Sequence, residues 1–303
     1  MNYKGDTIYL KKLINGCFWG LDEIVKGQLI RVVQQILGVI ITGIATKIST
    51  PICFVLYGPS ESNGKSQILE LTRSLLPKDT CSSIPPADLG KEQYLIELVG
   101  KMANLSDELS GANAIQSDKL KAVVTGDTIS GKRVYKLVFS FKPNAIHIFG
   151  TNVLPNFKGG VDAEINRRVK VIPFDLTIPM NERIPRIAEK IVLNEKDQLF
   201  KFAINGAMDV IENDGFIIPG TIEQSTSQWF EDSDSILYWF KENHLHDLLD
   251  QSKKVSLGEA YSAFKSHMED IGDGEYVPTR NRFVQRIRQL VEKDVEIDIL
   301  RGN

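Results

Sequence analysis

Cysteine is scarce in this chain: three among 303 residues, Cys17, Cys53 and Cys81, far apart and with no C-x-x-C pair. This excludes a zinc site built on paired thiolates and a disulfide framework, and it suits a reducing compartment. An excess of charge of one sign is lacking too. A net charge of −3 excludes a wholly basic nucleic-acid binder but leaves room for a local basic channel. The longest nearly apolar run, ILGVIITGIA, is about half of the ~20 residues that cross a bilayer, so it reads as a buried helix. No basic segment followed by an apolar one opens the chain. Neither a signal peptide nor a membrane partner is therefore expected, and the expected location is cytoplasmic. There are four histidines. His147 lies in an apolar stretch and reads as a packed core residue, and His244 and His246 have no cysteine or carboxylate set at metal spacing. Internal repeats and low-complexity tracts are absent.

What is present is an ordinary globular composition, 42% hydrophobic and 25% charged, at a length that suits about two domains. Residues 1–48 read as helical, with Ile24, Ile30, Val33, Ile36, Leu37 and Ile40 at helix spacing. TPICFVLYG reads as a buried strand ended by Gly58, and KSQILELTRSLLP as a helix stopped before Pro77. KMANLSDE, KLVFSFKP, AIHIFGTN and RVKVIPFD are further strands. Strands interleaved with helices predict an α/β core with parallel strands over 49–215. A helical stretch covers about 183–213. NDGFIIPG then punctuates the chain, and STSQWFEDSDS reads as a linker into a small domain, 230–303.

GPSESNGKS lies between the first strand and its helix. A phosphate loop is usually G-x-x-x-x-G-K-[ST], whose backbone N–H groups cradle phosphates at a helix N-terminus. Here five residues separate Gly58 from Gly64, so either Pro59 takes the first position or the loop bulges. Gly58, Asn63, Gly64, Lys65 and Ser66 are the candidate nucleotide-binding residues. Lys65 is suited to neutralise the β- and γ-phosphates and Ser66 to hold Mg²⁺, while Glu61 is expected to point away, since like charges repel. NLSDEL ends a strand in two carboxylates: Asp107 to hold Mg²⁺ and Glu108 to polarise an attacking water. Asn152 ends the strand AIHIFGTN, where its amide can meet the γ-phosphate and the lytic water. Arg167 and Arg168 in NRRVKVIPF offer guanidinium charge to a transferring phosphoryl group, often across a subunit boundary. Taken singly, these are also a charged strand end, a turn residue and a surface arginine pair. Their order along the chain is the informative part.

That order of GPSESNGKS, NLSDE, TGDTISGKRVYK, IFGTN and NRRVKVIPF resembles superfamily 3 helicases, specifically the helicase part of phage and plasmid primase-helicases. The resemblance is strong over about 50–175 and looser in the flanks. It implies an AAA+-like P-loop NTPase core that assembles into hexameric rings around DNA, with ATP and Mg²⁺ between subunits. One subunit then contributes Lys65, Ser66, Asp107, Glu108 and Asn152, and a finger arginine reaches in from its neighbour. Arg167 is the better match by its distance to Phe174, and Arg168 the second. The implied activity is that of an ATP-driven 3′–5′ replicative DNA helicase module, in host cytoplasm if phage-encoded. Primase or polymerase activity, for which no motif is visible, is expected on another part of a longer chain. Residues 1–48 are expected as an oligomerising collar. The alternative from another class is a non-motor DNA-binding module that binds nucleotide only to form rings.

TGDTISGKRVYKLVFSFKP reads as two strands around a short basic turn, with Lys132, Arg133, Tyr135 and Lys136 as candidate contacts to single-stranded DNA. The resemblance places a channel hairpin here. A solvated surface hairpin is the plain alternative. SILYWFKENHL, LGEAYSAFKSHM and TRNRFVQRIRQLV read as three amphipathic helices followed by the strand DVEIDI, a winged-helix-like C-terminal domain.

Overall fold

The computed structural model describes residues 7–107, 114–132, 138–158, 161–242, 256–271, 274 and 277–293. Its helices are α1 (Ile8–Cys17), α2 (Glu23–Thr42), α3 (Lys65–Ser74), α4 (Glu92–Leu95), α5 (Ser117–Thr125) and α6 (Ala163–Arg168), then α7 (Ile187–Asn194), α8 (Lys196–Glu212), α9 (Gly220–Asp232), α10 (Ser235–Glu242), α11 (Leu257–Asp270) and α12 (Arg280–Lys293). Its strands are β1 (Cys53–Tyr57), β2 (Cys81–Ser82), β3 (Ala103–Ser106), β4 (Ile115–Gln116), β5 (Ile129–Gly131), β6 (Phe139–Phe141), β7 (Ile146–Thr151), β8 (Phe157–Lys158) and β9 (Val169–Pro173).

Five of these strands form a parallel sheet in the order β2-β3-β7-β1-β9. The strand before the phosphate loop is thus interior, with Phe54 opposite Ile148 on one side and Lys170 on the other. Its residues read as a continuous apolar run because both faces of the sheet are covered. Since all five strands run the same way, the residues that follow β1, β3 and β7 emerge together at the carboxyl ends of the strands. The residues that precede β9 lie at the amino ends.

Packing divides the chain into two units, one of residues 1–156 and 162–227, the other of 157–161 and 228–303. In the first, α1 and α2 share one hydrophobic core with β1, β3, β7 and α8, so these two helices pack as part of the sheet's own unit. α2 is longer than the apolar run suggested. By length and composition it would suffice to cross a membrane, but half of its apolar window is buried in the protein, with Leu29, Val32, Val33, Ile36, Leu37 and Ile40 in the core. It crosses α8 at close range. A Cβ on Gly38 or Gly206 would collide with the facing backbone of Ala207 or Gln34, so only hydrogen fits there. Arg31 and Gln35 of α2 both donate to the Asp209 carboxylate of α8. The buried Glu195, between α7 and α8, accepts from the Tyr9 and Leu10 N–H groups at 2.8 Å each and so caps α1.

STSQWFEDSDS, expected as a linker, is instead the end of α9 and the start of α10. The polar letters hid a helical stripe: Ile222, Thr226, Trp229 and Phe230 are buried at i, i+4, i+7 and i+8. In the second unit, α10, α11 and α12 surround Trp239, Phe264, Met268 and Phe283, with Phe264 and Phe283 ring centroids 5.1 Å apart. Arg286 of α12 donates to Asp234 at 2.6 Å. Three helices agree with the sequence reading. The strand DVEIDI lies outside the described residues, as do His244 and His246.

Candidate nucleotide site

The loop between β1 and α3 begins where Gly58 N–H bonds Thr151 O of β7 at 3.2 Å. Its extra residue is accommodated by a bulge, in which Ser62 adopts a left-handed conformation (φ +57°). That is uncommon for a residue with a side chain, and it is held in place by Ile178 N–H donating to Ser62 O at 3.0 Å. Gly64 is left-handed as well (φ +94°), and a Cβ there would run into the Cys17 sulfur. Burial raises the Cys17 thiol to about 12, so this sulfur is an inert packing atom.

Asn63 is 3% exposed and its side chain is engaged by the loop itself. Its amide donates to Ser60 O at 2.8 Å and to Phe174 O, just past β9, at 3.0 Å. Its Oδ1 accepts from Lys65 N–H at 3.4 Å. Glu61 is exposed at the loop surface, and its backbone oxygen accepts from Thr177 Oγ1 at 3.3 Å.

Lys65 opens α3 and is buried. Its Nζ donates to Gly58 O at 2.8 Å and to Asn152 Oδ1 at 2.9 Å. Burial lowers its pKa, opposed by the nearby charge of Asp107. Ser66 Oγ lies 3.5 Å from Asp107 Oδ1, at the outer limit of a hydrogen bond. Asp107 follows β3, and β7 lies between β3 and β1 in the sheet. The carboxylate passes over Gly150 of β7, where an added Cβ would stand 2.8 Å from Asp107 Oδ1. Gly58, Asn63, Gly64, Lys65, Ser66, Asp107 and Asn152 are therefore brought together from three loops and a helix start. Glu108 lies outside the described residues.

This arrangement fits Mg²⁺ and a polyphosphate. A hydroxyl beside one carboxylate, open to solvent, is a usual partial shell for Mg²⁺, which keeps waters and phosphate oxygens as its other ligands. Among the described residues no cluster of three His, Cys, Asp or Glu side chains is formed.

Arg167 and Arg168 end α6, immediately before β9, at the amino ends of the parallel strands. β9 pairs with β1 from Cys53↔Val169 to Tyr57↔Pro173. Five residues at ~3.3 Å each put the arginines about 16 Å from their own loop, beyond the reach of their side chains. Arg168 pairs with Glu164 at 3.3 Å, whereas Arg167 is exposed. His147 is the buried core residue expected, and burial pushes its imidazole down to about 4. The expected hairpin is present as β5 and β6, antiparallel with Ile129 opposite Phe141 and Gly131 opposite Phe139. Lys132 follows β5 and is exposed, while Arg133, Tyr135 and Lys136 lie outside the described residues. Sequence reasoning missed Gly150, Thr177 and the Phe174 carbonyl. Their roles are close approaches and backbone contacts between distant segments, which leave no local signal.

Residues 56–168 match the model of a protein family described as a family of unknown function, DUF5906. Over 134 residues the chain is 32% identical to a protein of Acanthamoeba polyphaga mimivirus named "Putative helicase L207/L206"; the match covers 40% of this chain and 13% of that protein. Two apo structures of the NrS-1 C-terminal region superpose with a TM-score of 0.52, each over 94% of this chain and 67% of that one, at 16% identity. The sequence likeness is therefore to a putative viral helicase, over part of each chain. At such low identity the structural likeness concerns the fold, a mixed α/β core on a central parallel sheet.

Proposed function

We propose that this chain is the ATP-hydrolysing helicase or translocase module of a phage or plasmid replication protein, acting on single-stranded DNA as a homo-oligomeric ring, most naturally of six copies. The observation that carries the reading is the convergence of Lys65, Ser66, Asp107 and Asn152 on one phosphate loop at the carboxyl ends of β1, β3 and β7, where open α/β sheets bind ligands. The chain spans only 13% of the length of its curated relative, so primase or polymerase activity elsewhere in a longer protein is compatible with it.

In this reading the loop N–H groups and Lys65 hold the β- and γ-phosphates. Lys65 leaves Asn152 to do so, which frees Asn152 Oδ1 to accept from a water and orient it. Glu108 takes a proton from that water, and Ser66 and Asp107 hold Mg²⁺, which when bound neutralises charge on the phosphate oxygens. Arg167 acts in the site of a neighbouring copy, since its own loop lies at the opposite ends of the paired strands β1 and β9. Arg168, engaged with Glu164, is the weaker candidate. Lys132, Arg133, Tyr135 and Lys136, between β5 and β6, contact the strand that is moved.

Steady-state phosphate release with and without single-stranded DNA tests this. DNA should stimulate hydrolysis, and Lys65→Ala should abolish it while weakening nucleotide binding. Wild-type turnover in Lys65→Ala would refute the loop assignment. Binding of nucleotide and assembly without any DNA-stimulated turnover would favour a non-motor ring-forming module instead.

A further inference from the structure

A cavity of about 350 Å³ opens beside the phosphate loop, within the first unit, and none of the residues discussed above uses it. Its walls come from α1, the turn after it, α2 and the segment that follows β9. They include Lys11, Lys12, Asn15, Trp19, Lys26 and Glu182. Ile178 also lines it and links it to the loop: its N–H donates to Ser62 O, and its Cδ1 lies 3.5 Å and 3.6 Å from where Cβ atoms on Gly64 and Gly16 would stand. Trp19 is 42% exposed, yet its ring is fixed, because the indole Nε1–H donates to Thr177 O at 2.9 Å. Thr177 in turn donates to Glu61 O of the loop. An exposed aromatic ring is thereby tied, through one residue, to the loop that would hold phosphates. Lys12 faces Glu182 at 3.9 Å and Lys26 faces Glu23 at 3.3 Å, while Lys11 adds positive charge to the lining.

We propose that this cavity receives the base and sugar of the nucleoside triphosphate, with Trp19 as the stacking surface and little selection among bases. The proposal rests on the nucleotide reading above. The volume lies within the range of small-molecule pockets. A fixed indole can stack on any base, because every base has a π-face. The charged groups of the lining sit on flexible side chains, Lys12 and Lys26 already facing Glu182 and Glu23, and do not form a rigid row of donors and acceptors along the edge of a base. The Trp19 N–H is occupied by Thr177, and the Asn15 amide donates to Lys11 O at 2.9 Å. Strong rejection of an analogue requires a site that hydrogen-bonds the distinguishing group, so the substrate class is nucleoside triphosphates with weak base discrimination.

Equilibrium binding of MgATP, MgGTP and Mg-tripolyphosphate, the last lacking base and sugar, separates the cavity from the loop. Trp19→Ala should weaken MgATP at least about 5-fold, the lower end of what base stacking on an aromatic ring provides. Trp19→Phe should weaken it less, and tripolyphosphate should bind both variants as it binds the wild type. MgATP and MgGTP should bind the wild type within about 10-fold of each other, since stacking does not select. Should Trp19→Ala fail to fold, wild-type fluorescence serves, because Trp229 and Trp239 are buried. Quenching by MgATP but not by tripolyphosphate reports Trp19. Unchanged MgATP affinity in Trp19→Ala, an equal loss for tripolyphosphate, or no ATP-specific quenching overturns the proposal. So does a loss confined to single-stranded DNA, which would make Trp19 part of a strand-binding surface. Lys65→Ala should lose both MgATP and tripolyphosphate. If neither binds the wild type, the loop reading fails, and this one with it.

Discussion

Replacing Gly150 by alanine adds a single methyl group to β7, a strand that is buried throughout. That methyl would stand 2.8 Å from Asp107 Oδ1 and 3.0 Å from Leu69 Cδ1. Ordinary contact begins at 3.4 Å, so the carboxylate must retreat by 3.4 − 2.8, about 0.6 Å. Asp107 Oδ1 is already 3.5 Å from Ser66 Oγ, and two groups that share one small cation tolerate little further separation. Two separate losses follow. Overpacking should cost about 1–3 kcal/mol of stability, lowering Tm by a few degrees for a unit of this size. Displacing a ligand carboxylate should weaken metal binding about 10-fold or more, as changes around metal ligands commonly do. The assay is nucleotide hydrolysis as a function of Mg²⁺ concentration, alongside nucleotide binding in EDTA and a thermal melt. The expected result is a higher half-saturating Mg²⁺ with metal-free binding retained. A folded Gly150→Ala protein whose Mg²⁺ dependence superimposes on that of the wild type would refute both the role of Asp107 and the reason for a glycine at this position.

Two further outcomes are expected. Mixing Arg167→Ala with Lys65→Ala copies should restore part of the hydrolysis, because some interfaces regain an intact loop and an intact arginine. Arg168→Ala in place of Arg167→Ala should retain substantial activity on its own, and no recovery in demonstrably mixed assemblies would argue against action in trans. Burial holds His147 near 4 against 6.5 in the unfolded chain. The unfolded state therefore takes up this proton first, and the associated stability is complete above about pH 6.5 and lost as pH falls towards 4, by on the order of 3 kcal/mol. Urea midpoints at pH 7.5 and 5 should differ less in His147→Gln than in the wild type. An equal pH dependence in the two would remove His147 from the account.

By itself the sequence determined the parts whose signal is local. β1, β3, β7 and β9 fall inside stretches read as strands, because a strand covered on both faces reads as a short, largely apolar run, and the exposed β6 falls inside KLVFSFKP. Lys65 and Ser66 open a helix after a glycine, and a helix start is written in a few adjacent residues. The order of strands in the sheet was not legible, nor was the bulge at Ser62, nor the helix hidden in STSQWFEDSDS. The path of Asp107 over Gly150 was equally hidden. Each depends on what lies opposite in space. Gly150 looks like any strand glycine until the carboxylate that crosses it is known, and Asn63 looks like a ligand until Phe174 O, 111 positions away, takes its amide. The clearest case is Arg167. The sequence offered it as a finger for some phosphate, and only the parallel register of β9 with β1 put it at the opposite end of the strands from its own loop, because strands that run the same way hold their beginnings and their ends apart.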